Sequence, residues 1–276
     1  MMVELLFREY GETLQYVVYF GLLAALAGLE ALAPRRTREA ERTRRWPPNF
    51  GLTLLNILVL GALPVSGIGV AILAESRGWG LLQWRPVPPW AALLVAVVGR
   101  SLVSYAVHVA MHRMPALWRI HRVHHTDPFL DVSTTVRFHP LEFLVQLGPN
   151  VLLLLALGLP VWTLVCYEIL DTATNLGIHA NVRVPPALDR WLRSVVVTPD
   201  MHRVHHSAAW PETDRNYGVV LSWWDRLFGT YQAAARCGPD EMVLGLAECQ
   251  DGRARSLGWL LRLPWMGRIE RPPSAS

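Results

Sequence analysis

The stretch that decides how this chain is read is "WRIHRVHHTD", residues 118–127, which places His121, His124 and His125 within five positions. The same HRVHH string returns at 202–206 inside "TPDMHRVHHS", as His202, His205 and His206. The chain has ten histidines in 276 residues, and the other four, His108, His112, His139 and His179, lie just ahead of the first string or between the two. On a helix, residues three and four apart share a face. His108 and His112 form such a pair, and in each HRVHH the first imidazole faces the other two. Neutral imidazole is the commonest nitrogen ligand for zinc, copper, iron and nickel. One ion takes about four to six ligands, so ten histidines suit two ions better than one. A lone histidine is ordinarily a core or surface residue, and a single HxxxH is a weak signal. The recurrence of whole clusters is what carries the metal reading. His139 and His179 stand singly, and a supporting role beside the ligands fits them as an alternative to ligation.

The rest of the chain is greasy. Hydrophobic residues make up 52% and charged residues 17%, a balance typical of membrane proteins, because a soluble domain of this size needs more polar surface. All 26 basic residues are Arg, with no Lys, and the net charge is +4. An all-Arg bias suggests a GC-rich coding sequence and hence a bacterial source. The arginines form no stripe with interleaved aromatics, so no nucleic-acid partner is expected and the charge is attributed to membrane orientation. Cys166, Cys237 and Cys249 make no CxxC or Cys/His zinc pattern; free thiols on a reducing side are expected. The N-terminal "MMVELLFREYGETLQ" carries acids where a secretory signal would be basic, so the apolar run after it is read as a retained helix.

Apolar runs predict spans at 16–34, 50–76 and 91–113, the second kinked at Pro64 between Gly61 and Gly67. Runs at 141–160 and 161–181 predict a helical hairpin turned at Gly158-Leu159-Pro160, either fully spanning or re-entrant. Between the first two spans, Arg35, Arg36, Arg38, Arg42, Arg44 and Arg45 give the strongest positive-inside signal in the chain. With that loop cytoplasmic, alternate crossings bring every histidine to the same side. Residues 256–268 read as a short interfacial amphipathic stretch and the final "ERPPSAS" as disordered. The expected fold is all-α: an integral-membrane bundle of about four to five membrane helices under a cytosolic, histidine-lined helical cap. It divides into membrane helices with the Arg-rich loop (1–89), the histidine-bearing domain (90–235) and a C-terminal tail (236–276).

Two polar stripes lead toward the histidines. Arg100, Ser104, His108 and His112 repeat every fourth residue, and Glu168, Asp171/Thr172, Asn175 and His179 every third or fourth. An unpaired charge in lipid is costly, so Arg100 is expected either to pair with Asp171 or Glu168 or to snorkel toward the interface. No Glu-x-x-His occurs, unlike the soluble di-iron bundles, so the site has to be nearly all nitrogen. Ligand chemistry alone then does not choose iron over zinc.

The succession "HVAMH" (108–112), "HRVHH" (121–125), "RFHPLE" (137–142), "GIHAN" (177–181), "TPDMHRVHHS" (198–207) and "NYGVVLSWWDRLFGTY" (216–231) resembles the fatty acid hydroxylase / sterol desaturase superfamily of integral-membrane di-iron enzymes, over roughly residues 90 to 232. The resemblance implies two iron ions held by His108, His112, His121, His124, His125, His139, His179, His202, His205 and His206, with zinc a possible occupant on isolation. It implies O2 as co-substrate and hydroxylation or desaturation of an unactivated C–H bond in a membrane lipid such as a sterol or fatty acyl chain. Asn216, Tyr217, Trp224, Asp225 and Gly229 match the closing motif. Asp171, Asn175, Asn181, Asp200, Asn216 and Asp225 are expected to support the site rather than ligate. No cytochrome-b5-like domain is fused, so a separate electron-transfer protein, cytochrome b5-like or a ferredoxin with its reductase, is implied. The expected location is the bacterial inner membrane with the histidines on the cytoplasmic side. The competing readings are a membrane metal-binding or transport protein, whose ligands would sit near the bilayer midplane, a zinc-dependent hydrolase on the same scaffold, and a lipid-binding relative without chemistry.

Overall fold

A computed structural model describes residues 2–37, 42–85, 87–238 and 241–267. Among these residues the secondary structure is helical, with two isolated β-bridges, Val196 to Leu221 and Ser207 to Leu244. The long helices are α1 (Met2–Leu32), α2 (Arg42–Gly61), α3 (Gly67–Arg77), α4 (Pro89–Arg113), α6 (Pro140–Leu157) and α7 (Val161–His179). α5 (Pro115–His125), of the same length as α3, and the shorter α8 (Pro186–Leu192), α9 (Pro199–His205), α10 (Trp210–Thr213), α11 (Trp223–Leu227) and α12 (Leu257–Arg262) build a cap at one end. Three helical stretches, Glu4–Leu32, Pro89–Arg113 and Pro140–Leu157, are long and apolar enough to cross a membrane. Apolar side chains such as Val17, Phe20, Leu29, Leu58 and Leu152 point outward from the bundle, as a lipid-facing surface requires.

The helix boundaries differ from the sequence reading in two places. α1 starts well before residue 16, because Glu, Leu, Arg and Gln of the polar leader are all good helix formers. The single span expected at 50–76 is two helices. Pro64 supplies no amide for the previous turn, α2 stops at Gly61, and α3 restarts with the Ser66 hydroxyl accepting from the Gly69 amide at 3.0 Å. The α6–α7 hairpin turns at Gly158, which has φ +63°. A side chain there would strike the Trp79 carbonyl, so the turn is closed by packing as well as by backbone conformation.

The bundle core changes character along its length. Away from the cap, Ile68, Ala71, Ala96, Leu154, Leu164 and Val165 pack α3, α4, α6 and α7 together. Nearer the cap the core becomes aromatic, with Tyr105, Tyr167, Tyr217 and Trp224. Between these levels Arg100 donates to Asn150 (2.7 Å) and Glu168 (3.3 Å), and Gln15 donates to the other Glu168 oxygen (2.6 Å). Glu168 is therefore the ion-pair partner of Arg100. Asp171 instead accepts from the Tyr167 hydroxyl and the Asn175 amide.

The Arg-rich segment, expected as a solvated orientation loop, is built into the cap. Arg35 pairs with Asp200, and its amide donates to the Asn181 carbonyl. Arg45 is 1% exposed and forks onto both Asp127 oxygens (2.5 and 2.7 Å) while reaching Asp131 (2.7 Å). Arg137, also buried, donates to Asn49, Thr126 and the Ala254 carbonyl. Burial would push the Asp127 carboxyl up, but Arg45 and Arg137 outweigh it and hold the group below its usual range. These bonds strap α2 to the loop that follows the first histidine string, which places the Arg segment and the histidines at the same end of the bundle. Arg38 and residues 270–276 lie outside the described residues. Of the 256–268 stretch, expected to be interfacial, the described residues 256–267 fold onto the cap. Leu260 and Leu263 are buried against Leu52 and Val123, and Trp265 stays exposed.

Candidate metal centre

Each histidine-bearing helix is placed by a local stop or start. Pro115 opens α5 one residue after α4 ends, so His108 and His112 at the end of α4 face the string on α5. Pro199 occupies the first position of α9, and the Thr198 hydroxyl caps it through the Met201 amide. Nine buried imidazoles then converge in two groups. One holds His108, His112, His121, His125 and His205; the other holds His124, His179, His202 and His206. Within each group the ring nitrogens lie within 4.8 Å of one another. The two HRVHH strings are split crosswise. The i, i+4 pair of the first string and the middle histidine of the second serve the five-histidine group. The pair of the second and the middle histidine of the first serve the four-histidine group.

The ring tautomers follow from the outer nitrogens. His108 Nδ1 donates to the Tyr217 carbonyl (2.6 Å), His205 Nδ1 to the Arg215 carbonyl (2.8 Å) and His179 Nδ1 to the Asn175 carbonyl (2.7 Å). His121 Nδ1 donates to a Glu142 oxygen at 2.8 Å. With the ring proton committed outward, each Nε2 carries a bare lone pair pointing inward. His108 Nε2 and His121 Nε2 nevertheless stand 3.1 Å apart. In the other group the Nε2 atoms of His124, His179, His202 and His206 are linked at 3.1–3.2 Å. Where both outer nitrogens carry the proton, as in His108 and His121, the facing lone pairs cannot hydrogen-bond to each other, and a shared cation fits between them. Imidazole nitrogens sharing one ion at about 2.0–2.1 Å stand about 3.0–3.4 Å apart, which fits. Burial, reinforced by neighbouring rings, holds His124, His125, His202 and His206 well below the usual histidine range and lowers His205 to about 3. The rings therefore stay neutral, the form that ligates.

The tenth histidine is not part of this assembly. His139 precedes Pro140 and is the N-cap of α6; its Nδ1 accepts from the Leu141 amide at 3.2 Å and its Nε2 faces the Leu261 carbonyl. Its ring is used on backbone, and it belongs to neither group. The other residues singled out from sequence take supporting places. The Asn175 carbonyl holds His179. Asn181 ties Arg36 to Glu30, and Asp200 pairs with Arg35. Asn216, at φ 52°, donates to the Met201 and Gln232 carbonyls. Asp225 accepts from the Tyr217 and Gly218 amides and the Thr230 hydroxyl. The neighbouring Arg226 lies over the Tyr231 ring. By fixing the Tyr217 backbone, Asp225 steadies the carbonyl that orients His108. Sequence spacing missed Glu142, Asp214 beside His112 (3.3 Å) and Trp118 against His112 and His125.

The fatty acid hydroxylase family model matches residues 93–230, half of the chain, and every residue of both histidine groups lies within that stretch. The chain belongs to the fatty acid hydroxylase family. Over 239 residues it is 28% identical to the ornithine lipid hydroxylase OlsE of Rhizobium tropici, covering 83% of this chain and 70% of that protein. It is 27% identical to the alkylglycerol monooxygenase of Danio rerio, over 60% of this chain and 34% of the relative. It is 29% identical to methylsterol monooxygenase 1 of Danio rerio, over 54% of this chain and 50% of the relative. The chain thus spans most of the bacterial relative and half or less of the two animal ones. No solved structure matches it significantly.

Proposed function

We propose that this member of the fatty acid hydroxylase family oxidises an unactivated C–H bond of a membrane lipid, with one iron ion in each histidine group and O2 as co-substrate. One observation carries the reading: nine buried imidazoles converge in two groups at the end of an apolar helical bundle. All-nitrogen ligation alone does not select the metal. Zinc has no redox chemistry, whereas the relatives' names describe hydroxylases and monooxygenases, which favours iron. Hydroxylation balances as R–H + O2 + 2 electrons + 2 protons giving R–OH + H2O, and desaturation removes two hydrogens from adjacent carbons instead. The bound ions would supply oxygen activation. The chain's own residues do the rest. Carbonyls of Tyr217, Asn175 and Arg215, with Glu142, hold the rings in the ligating tautomer, and the buried cap keeps water away from the reacting carbon. Phe138 stacks on His124 at 4.4 Å and touches Phe143 of α6, giving an apolar approach from the bundle that suits a hydrocarbon chain. Electrons come from a separate carrier protein, and the cap faces the cytoplasm of a bacterial inner membrane.

Comparative lipid profiling of cells carrying wild type or His124→Ala tests the reading. A lipid heavier by one oxygen, or lighter by two hydrogens, is expected only with wild type. Identical profiles across growth conditions would overturn it.

A further inference from the structure

We infer that electrons enter through the five-histidine group by way of Trp118 and Trp210, delivered by an acidic one-electron carrier protein that docks around Trp210. The inference rests on the oxidase reading above and adds to it a route and a face. Trp118 is 4% exposed. Its ring lies 5.0 Å from the His112 ring and 5.5 Å from the His125 ring, and on its far side Trp210 stands at 5.3 Å. Trp210 opens α10 between exposed Ala209 and Pro211 and is itself partly exposed. Two ring contacts therefore lead from the buried imidazoles to the protein surface. Electron transfer through protein weakens steeply with distance, and contiguous π-systems shorten the gaps it has to cross.

The four-histidine group has no comparable outlet among the described residues. Its non-histidine ring neighbour is Phe138, which leads to Phe143 and so into the membrane bundle. A simple wall role for Trp118, packed with Leu246 and Cys249, explains its burial but does not call for a second indole continuing to the surface. The segments that carry the two tryptophans also carry exposed Arg113, Arg119 and Arg215. The acids on these segments are Glu212, buried and accepting from the Arg236 amide and Gln232, Asp214, engaged with His112, and Glu248, exposed beside Cys249. A cationic rim steers an acidic partner and favours a brief encounter, which suits a carrier that must leave after each single electron. Two reduced carriers are oxidised per turnover, supplying the two electrons in the balance above.

The test uses the full metal-loaded chain in detergent, with a reduced soluble cytochrome b5 domain as the acidic carrier and dithionite as a small reductant that needs no docking face. In Trp210→Leu, carrier oxidation is expected to fall by an order of magnitude, with metal content and dithionite reduction unchanged. Trp210→Leu, at the partly exposed end, probes the route without opening the core. Arg113→Glu with Arg119→Glu should weaken carrier binding about 10-fold and flatten its salt dependence. Wild-type transfer rates in Trp210→Leu, or loss of metal or of dithionite reduction in that variant, would overturn the route. Unchanged carrier affinity in the arginine variant would overturn the docking face. Carrier binding and oxidation are read without any lipid product, so their failure is separable from failure of the lipid-oxidation reading.

Discussion

The five- and four-histidine groups use the same ligand type and the same HRVHH string, yet they are built differently. The five-histidine group is redundant and braced. Tyr217 and Arg215 carbonyls, Glu142 and Asp214 hold four of its outer nitrogens, and Trp118 and Tyr217 wall it toward the cap surface. The four-histidine group is minimal. One carbonyl, that of Asn175, holds His179, while Nδ1 of His124, His202 and His206 has no hydrogen-bond partner among the described residues. Its aromatic wall is Phe138, on the bundle side. The difference teaches that a shared motif need not make equivalent sites: what surrounds the rings decides how firmly each is held and what lines it.

The largest expected effect removes the contrast altogether. Arg45→Met strands Asp127 and Asp131 in the interior, and breaking a buried pair in this way costs about 3–5 kcal/mol. Because Arg45 anchors the loop after His124 and His125, both groups should lose metal, with unfolding in detergent shifted to match. A loss under about 1 kcal/mol would mean that the strap does not hold the cap. Next comes the contrast itself. His179→Ala leaves three rings in the minimal group and should reduce bound metal from two ions per chain to one. His112→Ala leaves four rings in the other group and should retain both. Equal losses in the two variants would erase the distinction. A smaller, one-sided effect is expected from Glu142→Ala. Loss of a carboxylate behind a ligating histidine lowers metal affinity about 10–100-fold, and chelator titration should find that loss at the five-histidine group alone. The smallest effect belongs to His139→Asn, which keeps an N-cap acceptor and should leave metal content and stability nearly unchanged. Loss of an ion in that variant would return His139 to the ligands.

Much of this was legible in the sequence, and the exceptions have physical reasons. Apolar run length revealed the three helices long enough to cross a membrane, at 4–32, 89–113 and 140–157, and Pro64, expected as a kink, marks the break between α2 and α3. The i, i+4 spacing revealed which histidines share a face. It did not reveal the crosswise division of each string, because that depends on how α5 and α9 pack against each other. His139 misled because a histidine ahead of a proline reads as part of a histidine series, although Pro140 at the first position of α6 also signals that the preceding residue is a cap. Arg45 was read as an orientation charge because its partners, Asp127 and Asp131, are more than 80 positions away. Glu142 is three residues from His139 and 21 from His121, so local spacing pointed it at the wrong histidine.

The most direct measurement is metal analysis of the purified chain combined with X-ray absorption at the metal edge. Two ions per chain, each surrounded by imidazole nitrogen at about 2.0–2.2 Å, is the expected result, with one of them lost selectively in His179→Ala. A single ion, no ion, or a coordination sphere dominated by sulfur or carboxylate oxygen would contradict the two-group centre.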